Sequence, residues 1–289
     1  MQILIGAVAE GLLWSLMAIG IYISIRILKR PDLTTEGSFP FGGAVATILI
    51  INDVHPIFAT LFSFFAGALA GLLTGYLMTK AKIPGLLAGI LVMTGLYSVN
   101  LVVMGKSNVS LLNLPRVTNV FSGWIPISNN YSTILVAILI LTIVILFLMI
   151  YFKSDSGQAL IATGDNEKMA RSMGIKTDKM KMIGLALSNG LIGLSGGIIS
   201  QYNGYVDISM GIGIFVIGLA SIIIVEMFYK NLSLTERFIS IPIGAILYRF
   251  IIAFALYVGL PPELMKLVSA TILGLFLSLP NLLEERRVS

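Results

Sequence analysis

Apolar runs of about twenty residues, separated by short polar or charged segments, recur along the whole chain. Windows bounded by charges or turn residues give nine candidate spans, at 4–28, 38–51, 56–79, 83–104, 131–152, 182–202, 211–229, 238–259 and 267–283. Roughly 20 helical residues cross a hydrocarbon core of ~30 Å, so the pattern predicts an all-α polytopic membrane protein with about nine transmembrane helices. Span 38–51 is short and contains Gly42 and Gly43; it either crosses fully or forms a broken or re-entrant helix. Gly67, Gly71 and Gly75 recur every fourth residue and line one helix face, where a neighbouring helix can approach closely. Gly193 and Gly197 read the same way.

Composition sharpens this picture. Of 289 residues, 57% are hydrophobic and 11% charged, with mean hydropathy +0.96. Soluble domains carry about a quarter charged residues, so a soluble enzyme is excluded. We read residues 1–289 as one transmembrane domain with a cytoplasmic segment at 153–181. Cys is absent and His55 is the single histidine, which excludes disulfides, Cys/His zinc sites and thiolate catalysis; no metal site is expected. The first apolar run lacks a basic start and a small-x-small cleavage site, so it is expected to remain in the protein.

The net charge of +5 reports orientation rather than nucleic acid, which we reject as a partner. Alternating sides collect Arg26, Lys29, Arg30, Lys80, Lys82, Lys153, Lys168, Arg171, Lys176, Lys179, Lys181, Lys230, Arg237, Arg286 and Arg287 on one face of the membrane. Lys106, Arg116 and Lys266 fall on the other, and Arg249 lies within a span. The positive-inside rule then puts the N-terminus outside, the C-terminus inside and the chain in the cell membrane as a multi-pass protein among its lipids. Trp14, Trp124, Tyr131, Tyr151, Tyr202 and Tyr205 are expected to anchor span ends.

Two loops are long. The outer one, 105–130, contains Pro115, Trp124 and Pro126 and is either a structured cap or a connector. The inner one, 153–181, contains the signature of a short helix: Thr163 or Asp165 as cap, Asp165 and Glu167 at its positive end, Arg171 at its negative end and Gly174 as left-handed terminator. Met169, Ala170 and Met173 are expected to form an apolar stripe.

No energy source is visible in the chain. Asn100–Ser107 ends like a phosphate-binding loop, but Asn100 replaces its first glycine and no strand precedes it. His55 reads as a solvated loop residue. Ionisable groups in spans are costly and usually face a pathway or a partner. Glu10 and Glu226 are expected in interfacial or structural pairs, Glu226 with Lys230 one turn away. Arg249 is deeper and either forms a structural pair or lines a pathway. Asp32-Leu-Thr-Thr-Glu-Gly37 precedes the second span on the inner side, and Asp207-Ile-Ser-Met-Gly211 precedes the seventh on the outer side. This fits an inverted repeat flanking a central pathway. Candidate pathway residues are therefore Asp32, Thr34, Glu36, Gly37, Ser38, Asp207, Glu226 and Arg249.

The stretch from Pro31-Asp32-Leu-Thr-Thr-Glu-Gly37 through Gly43-Ala44-Val-Ala46 resembles the signature of ABC importer permeases for branched-chain amino acids and ribose. One extra residue precedes Gly37. Ala162-Thr-Gly-Asp-Asn-Glu-Lys-Met-Ala-Arg-Ser-Met-Gly174-Ile175, followed by the Ser/Gly-rich Leu187–Gly197, is similar to that family's cytoplasmic segment. The overall pattern is most similar to Gram-positive members associated with tryptophan or tyrosine uptake. The resemblance implies a non-enzymatic permease subunit that pairs with a second copy of itself. It further implies a cytoplasmic ATPase dimer holding ATP and Mg²⁺, and an extracytoplasmic solute-binding protein, a lipoprotein. Gly164, Asp165, Asn166, Glu167, Met169, Ala170, Arg171, Met173 and Gly174 would be the coupling helix docking on that ATPase. Rival readings are an ion-coupled carrier acting alone, a channel or structural protein, and an ABC importer of a sugar or nucleoside.

Overall fold

The computed structural model describes residues 2–119, 129–229 and 232–288; Trp124, Pro126 and Lys230 lie outside them. These residues contain eleven α-helices: α1 (Gln2–Tyr22), α2 (Thr35–Ile51), α3 (Pro56–Thr79), α4 (Gly85–Met104), α5 (Asn129–Lys153), α6 (Asp155–Asp165), α7 (Glu167–Ser172), α8 (Thr177–Asn203), α9 (Ile214–Phe228), α10 (Leu234–Tyr257) and α11 (Met265–Val288). A π-helical turn, Ile23–Ile27, extends α1. Two short strands, β1 (Asn108–Ser110) and β2 (Tyr205–Asp207), pair antiparallel with Asn108 opposite Asp207.

Every expected span has a helix, seven of them long and apolar enough to cross a membrane. The second span is a continuous 17-residue helix, α2, rather than a broken one. The seventh differs from expectation. Instead of one helix over 211–229, a 3₁₀ turn at Ile208–Gly211 is followed by Gly213 at φ +86° and then by α9. Its apolar run concealed the break because left-handed glycine leaves hydropathy unchanged.

The centre of the molecule is α8, enclosed by α1, α2 and α3. Lipid tails are as apolar as leucine, so helix association here depends on close van der Waals approach through small residues. A Cβ on Gly67 would lie 2.1 Å from the Asn189 carbonyl oxygen, and one on Gly71 2.1 Å from that of Leu185. Gly42 and Gly196 make equally close backbone approaches between α2 and α8. The four-residue glycine spacing thus does what its pattern predicts. Phe58, Phe62, Phe65, Leu69, Ile143 and Ile150 point outward from α3 and α5, as lipid-facing side chains would.

Candidate coupling and translocation sites

At the basic end of the bundle, 153–181 contains two short helices rather than one, and its last residues, from Thr177, already begin α8. Ser154 caps α6 and Asn166 caps α7, its Oδ1 accepting from the Met169 N–H at 3.1 Å. Neither Thr163 nor Asp165 is the cap. Asp165 completes α6, and the Thr163 hydroxyl donates back to the Ala159 carbonyl. Asx residues at 165 and 166 are both competent caps, and only the extended backbone of Asn166 (φ −151°) selects between them. Gly174 ends the turn at φ +83°, as expected. The apolar stripe is split: Ala170 is fully buried, whereas Met169 and Met173 are 50% and 71% exposed. Gly164 lets α6 lie directly on the carbonyl of Ile27.

Charges tie these helices to the rest of the molecule. Glu167 accepts from Arg30 (3.0 Å), Arg171 (3.2 Å) and Lys181 (2.6 Å). The Lys181 hydrogen bond, joined by the surrounding cations, holds its carboxyl below the usual range. Lys29, in the left-handed region at φ 54°, reaches Asp165 at 2.8 Å. Arg171 also reaches Asp178 and donates to Thr177 Oγ1. Met169 of α7 and Met173, the residue that ends it, therefore sit on a segment wired to the loop after α1 and to the first turn of α8.

One step inward lies a buried polar network. Asp32 Oδ1 accepts from the Thr34 N–H at 2.9 Å, and Oδ2 accepts from Asn189 Nδ2 at 2.6 Å. The Ser38 hydroxyl donates to Asn189 Oδ1 (2.7 Å), and Thr34 shares a hydrogen bond with Thr74 (2.6 Å). All are buried. Asn189 links two predicted site residues, Asp32 and Ser38, but was not itself predicted; its place in the Ser/Gly-rich motif was its only sequence signal. Gly37 packs on Met93 and Leu96 of α4, and its carbonyl accepts a long bond from Asn100.

Asp207 is remote from this network. It caps the 3₁₀ turn through Ser209 and accepts from Asn108 across the two-stranded sheet at 3.1 Å. Burial raises its carboxyl, but the Ser209 and Asn108 hydrogen bonds outweigh that and hold it below the usual range. It nevertheless repeats one local feature of Asp32. Each carboxylate accepts the N–H two residues on, at 2.8 and 2.9 Å, and the segments they begin meet where Gly211 lies against the Glu36 carbonyl. Pro40 has no N–H to offer that carbonyl. The Glu36 side chain reaches the same break, accepting from Gly213 N–H at 3.0 Å.

Beside the break, α1, α9, α10 and α11 enclose a cleft of about 490 Å³ lined by Trp14, Gly213, Tyr248, Arg249, Lys266 and Ser269, among others. Arg249 pairs with Glu10 at 3.1 Å, and its guanidinium stacks on Trp14 at 4.2 Å from the ring centroid. Trp14 is therefore not a span-end anchor: it sits midway along α1, between Arg249 and Phe39. Glu226 is not at this cleft. It joins Arg26 and Arg237 at the basic end as a structural clasp between α1, α9 and α10. Gln201, also unanticipated, accepts from the Val117 N–H and donates to Thr60, each at 2.8 Å. His55 caps α3, and Asn100 is a buried residue of α4.

Residues 3–277 match the family described as the branched-chain amino acid transport system permease component. A tyrosine transport system permease protein of Clostridioides difficile is 38% identical over 279 residues, covering 96% of this chain and 92% of the relative. An uncharacterized protein of Rickettsia prowazekii is 33% identical over 290 residues, covering 99% of both. A probable branched-chain amino acid transport permease of Methanocaldococcus jannaschii is 26% identical over 209 residues, covering 68% of this chain and 65% of the relative. No solved structure matches the chain.

Proposed function

The chain belongs to the branched-chain amino acid transport permease family, and on that premise we propose that it is the membrane subunit through which an ABC importer moves an aromatic or branched-chain amino acid into the cell. It is a multi-pass membrane protein and hydrolyses nothing itself. ATP and Mg²⁺ belong to a separate ATPase dimer at the basic, cytoplasmic end. A second copy of this chain completes the pathway, and a lipid-anchored solute-binding protein delivers the amino acid from outside. The one-sided distribution of Lys and Arg supports an N-terminus outside and a C-terminus inside.

The observation that supports this reading best is α7. Two exposed methionines on a polar surface make an adaptable apolar contact for a groove on another protein. The element that carries them is ion-paired through Glu167 to Arg30 and Lys181. Closure of the ATPase pair would push α7, and with it the loop at 29–34 and the foot of α8. That loop is bonded through Asp32 to Asn189 in the middle of α8, so a displacement at the cytoplasmic surface reaches the packed centre of the bundle.

Co-purification of the tagged chain from native membranes, read by mass spectrometry, tests the assembly. An ATPase subunit is expected with the wild-type chain and not with Arg171→Glu, which should remain folded and inserted but fail to drive uptake. Wild-type uptake in that variant would remove the coupling role. Recovery of the chain alone, moving amino acid in liposomes without ATP, would make it an ion-coupled carrier instead.

A further inference from the structure

The cleft at the α9 break is more than a packing gap. Irregular backbone at membrane depth leaves polar groups that hydrocarbon cannot satisfy, and is tolerated where it is buried in protein or lines a water-filled cavity. Ile208–Gly213 is such backbone: α9 starts only beyond it, and Gly218, in the second turn of α9, already lies against Met17 and Ile21 of α1. Its volume, about 490 Å³, lies within the roughly 300–1,000 Å³ usual for small-molecule sites. Its walls are mostly apolar, from Ile212, Ile214, Ile252 and Met265.

The cations on this wall are underused. A guanidinium has five N–H donors. Glu10 takes one group of Arg249, Trp14 covers its face, and Nε is buried with no hydrogen-bond partner among the described residues. Lys266, on α11 across the cleft, is near enough to Glu36 for their charges to interact but makes no close ion pair with any described carboxylate. Glu10 and Glu36 thus each stand near one of the two cations, but neither satisfies the buried Nε of Arg249 and no carboxylate lies within ion-pairing distance of the Lys266 ammonium among the described residues, so donors remain unfilled beside an apolar wall.

We propose that this cleft is the place in the pathway where the permease itself holds its solute, and that it selects solutes with a free carboxylate. Arg249 and Lys266 bind the carboxylate, and the apolar wall takes the side chain. The proposal rests on the importer reading and adds to it a selectivity within this chain, beyond any exerted by a delivering protein. Removal of the carboxylate from a candidate amino acid should then abolish binding, whereas exchange of one apolar side chain for another should only tune it.

The chain has no cysteine, so a single Ala270→Cys substitution in the cleft lining gives a reporter for its occupancy. The full chain in lipid nanodiscs is treated with a fluorescent maleimide in the presence of L-tyrosine, L-leucine, tyramine or 3-methylbutylamine. At least one amino acid should slow labelling while its decarboxylated amine does not. Adding Lys266→Gln should raise the half-protecting concentration about tenfold or more, the loss expected for one charge-assisted hydrogen bond. No protection by either amino acid, or equal protection by the amines, overturns the proposal. Radiolabelled uptake into cells with and without the chain separates this failure from that of the importer reading. Chain-dependent uptake without protection removes only the cleft site, and no chain-dependent uptake removes the importer itself.

Discussion

Asn189 on α8 donates to the carboxylate of Asp32 at 2.6 Å, joining residues 157 positions apart in a fully buried contact. Its other amide atom accepts from Ser38, so a single side chain fastens α8 to α2 and to the loop between α1 and α2. Asn189→Leu keeps the branched shape but strips the carboxylate of the Asn189 donor and leaves the Ser38 hydroxyl only its long bond to the Thr35 carbonyl. The expected cost is roughly 2–4 kcal/mol. Asp32→Asn keeps one acceptor oxygen, for the Thr34 N–H or for Asn189 but not for both, yet it also removes a buried charge and should cost less. Thermal unfolding in detergent orders the two variants, and equal midpoints would remove Asn189 from its central role.

Many helix boundaries were legible because apolar length, flanking charge and turn residues agree there; α3, for instance, runs from Pro56 to Thr79 as expected, whereas α8 starts at Thr177 in the polar segment before its apolar run. Tertiary partners were not legible. Arg249 and Glu10 lie on the eighth and first spans, and local spacing carries no information about such a pair. Lys230 was the nearest sequence neighbour able to pair with Glu226, yet Arg26 and Arg237 hold it. The cap of α7 was misplaced by one residue because Asp165 and Asn166 have the same capping chemistry. The break before α9 was hidden inside an apolar run.

Packing of α3 on α8 gives a second expectation. In Gly71→Ala the new methyl group would meet the Leu185 carbonyl at 2.1 Å, backbone that cannot yield without parting two helices. We expect a loss of about 2–3 kcal/mol and reduced recovery of monodisperse protein by size-exclusion chromatography. Gly95→Ala, with nothing within 4 Å, is the matched control. It should be neutral or stabilising by about 0.5–1 kcal/mol through helix propensity.

Glu167 makes stability depend on pH with a definite sign. Its folded carboxyl is held below the ordinary glutamate value of 4.5 by Lys181 and the neighbouring arginines. The stabilisation is therefore fully present above that value and lost as pH falls through the lower, folded one. The side chain is 27% exposed, which limits the loss to the order of 1 kcal/mol. Glu167→Gln should flatten the unfolding profile below about pH 4.5 relative to wild type. Glu167→Lys is a harsher change, placing a fourth cation among Arg30, Arg171 and Lys181, and should destabilise the fold as well as uncouple it. An unchanged acid limb in Glu167→Gln would show that the network contributes nothing to stability.

The two faces of α7 should separate docking from folding. Met169→Glu or Met173→Glu places a charge on an already exposed position, and is expected to leave the unfolding midpoint unchanged while an ATPase subunit no longer co-purifies. Ala170→Glu buries a carboxylate at a position with no exposure and should reduce the yield of folded chain. Retention of the ATPase by the methionine double variant would move the docking surface elsewhere.

The pair Lys29–Asp165 offers the cleanest test of whether force passes from α6 and α7 into the loop that carries Asp32. The two side chains meet at 2.8 Å and are both more than half exposed, so the pair itself should contribute at most about 1 kcal/mol to stability. Lys29→Glu alone sets two carboxylates against each other, and Asp165→Lys alone sets two ammonium groups against each other. Either should leave the folded yield nearly unchanged yet lower uptake, because the foot of α1 no longer follows α6. The double exchange restores attraction in the opposite sense and should restore uptake. A double variant as impaired as its parents would show that the residues act separately, and that motion enters the bundle through Glu167, Arg30 and Lys181 alone.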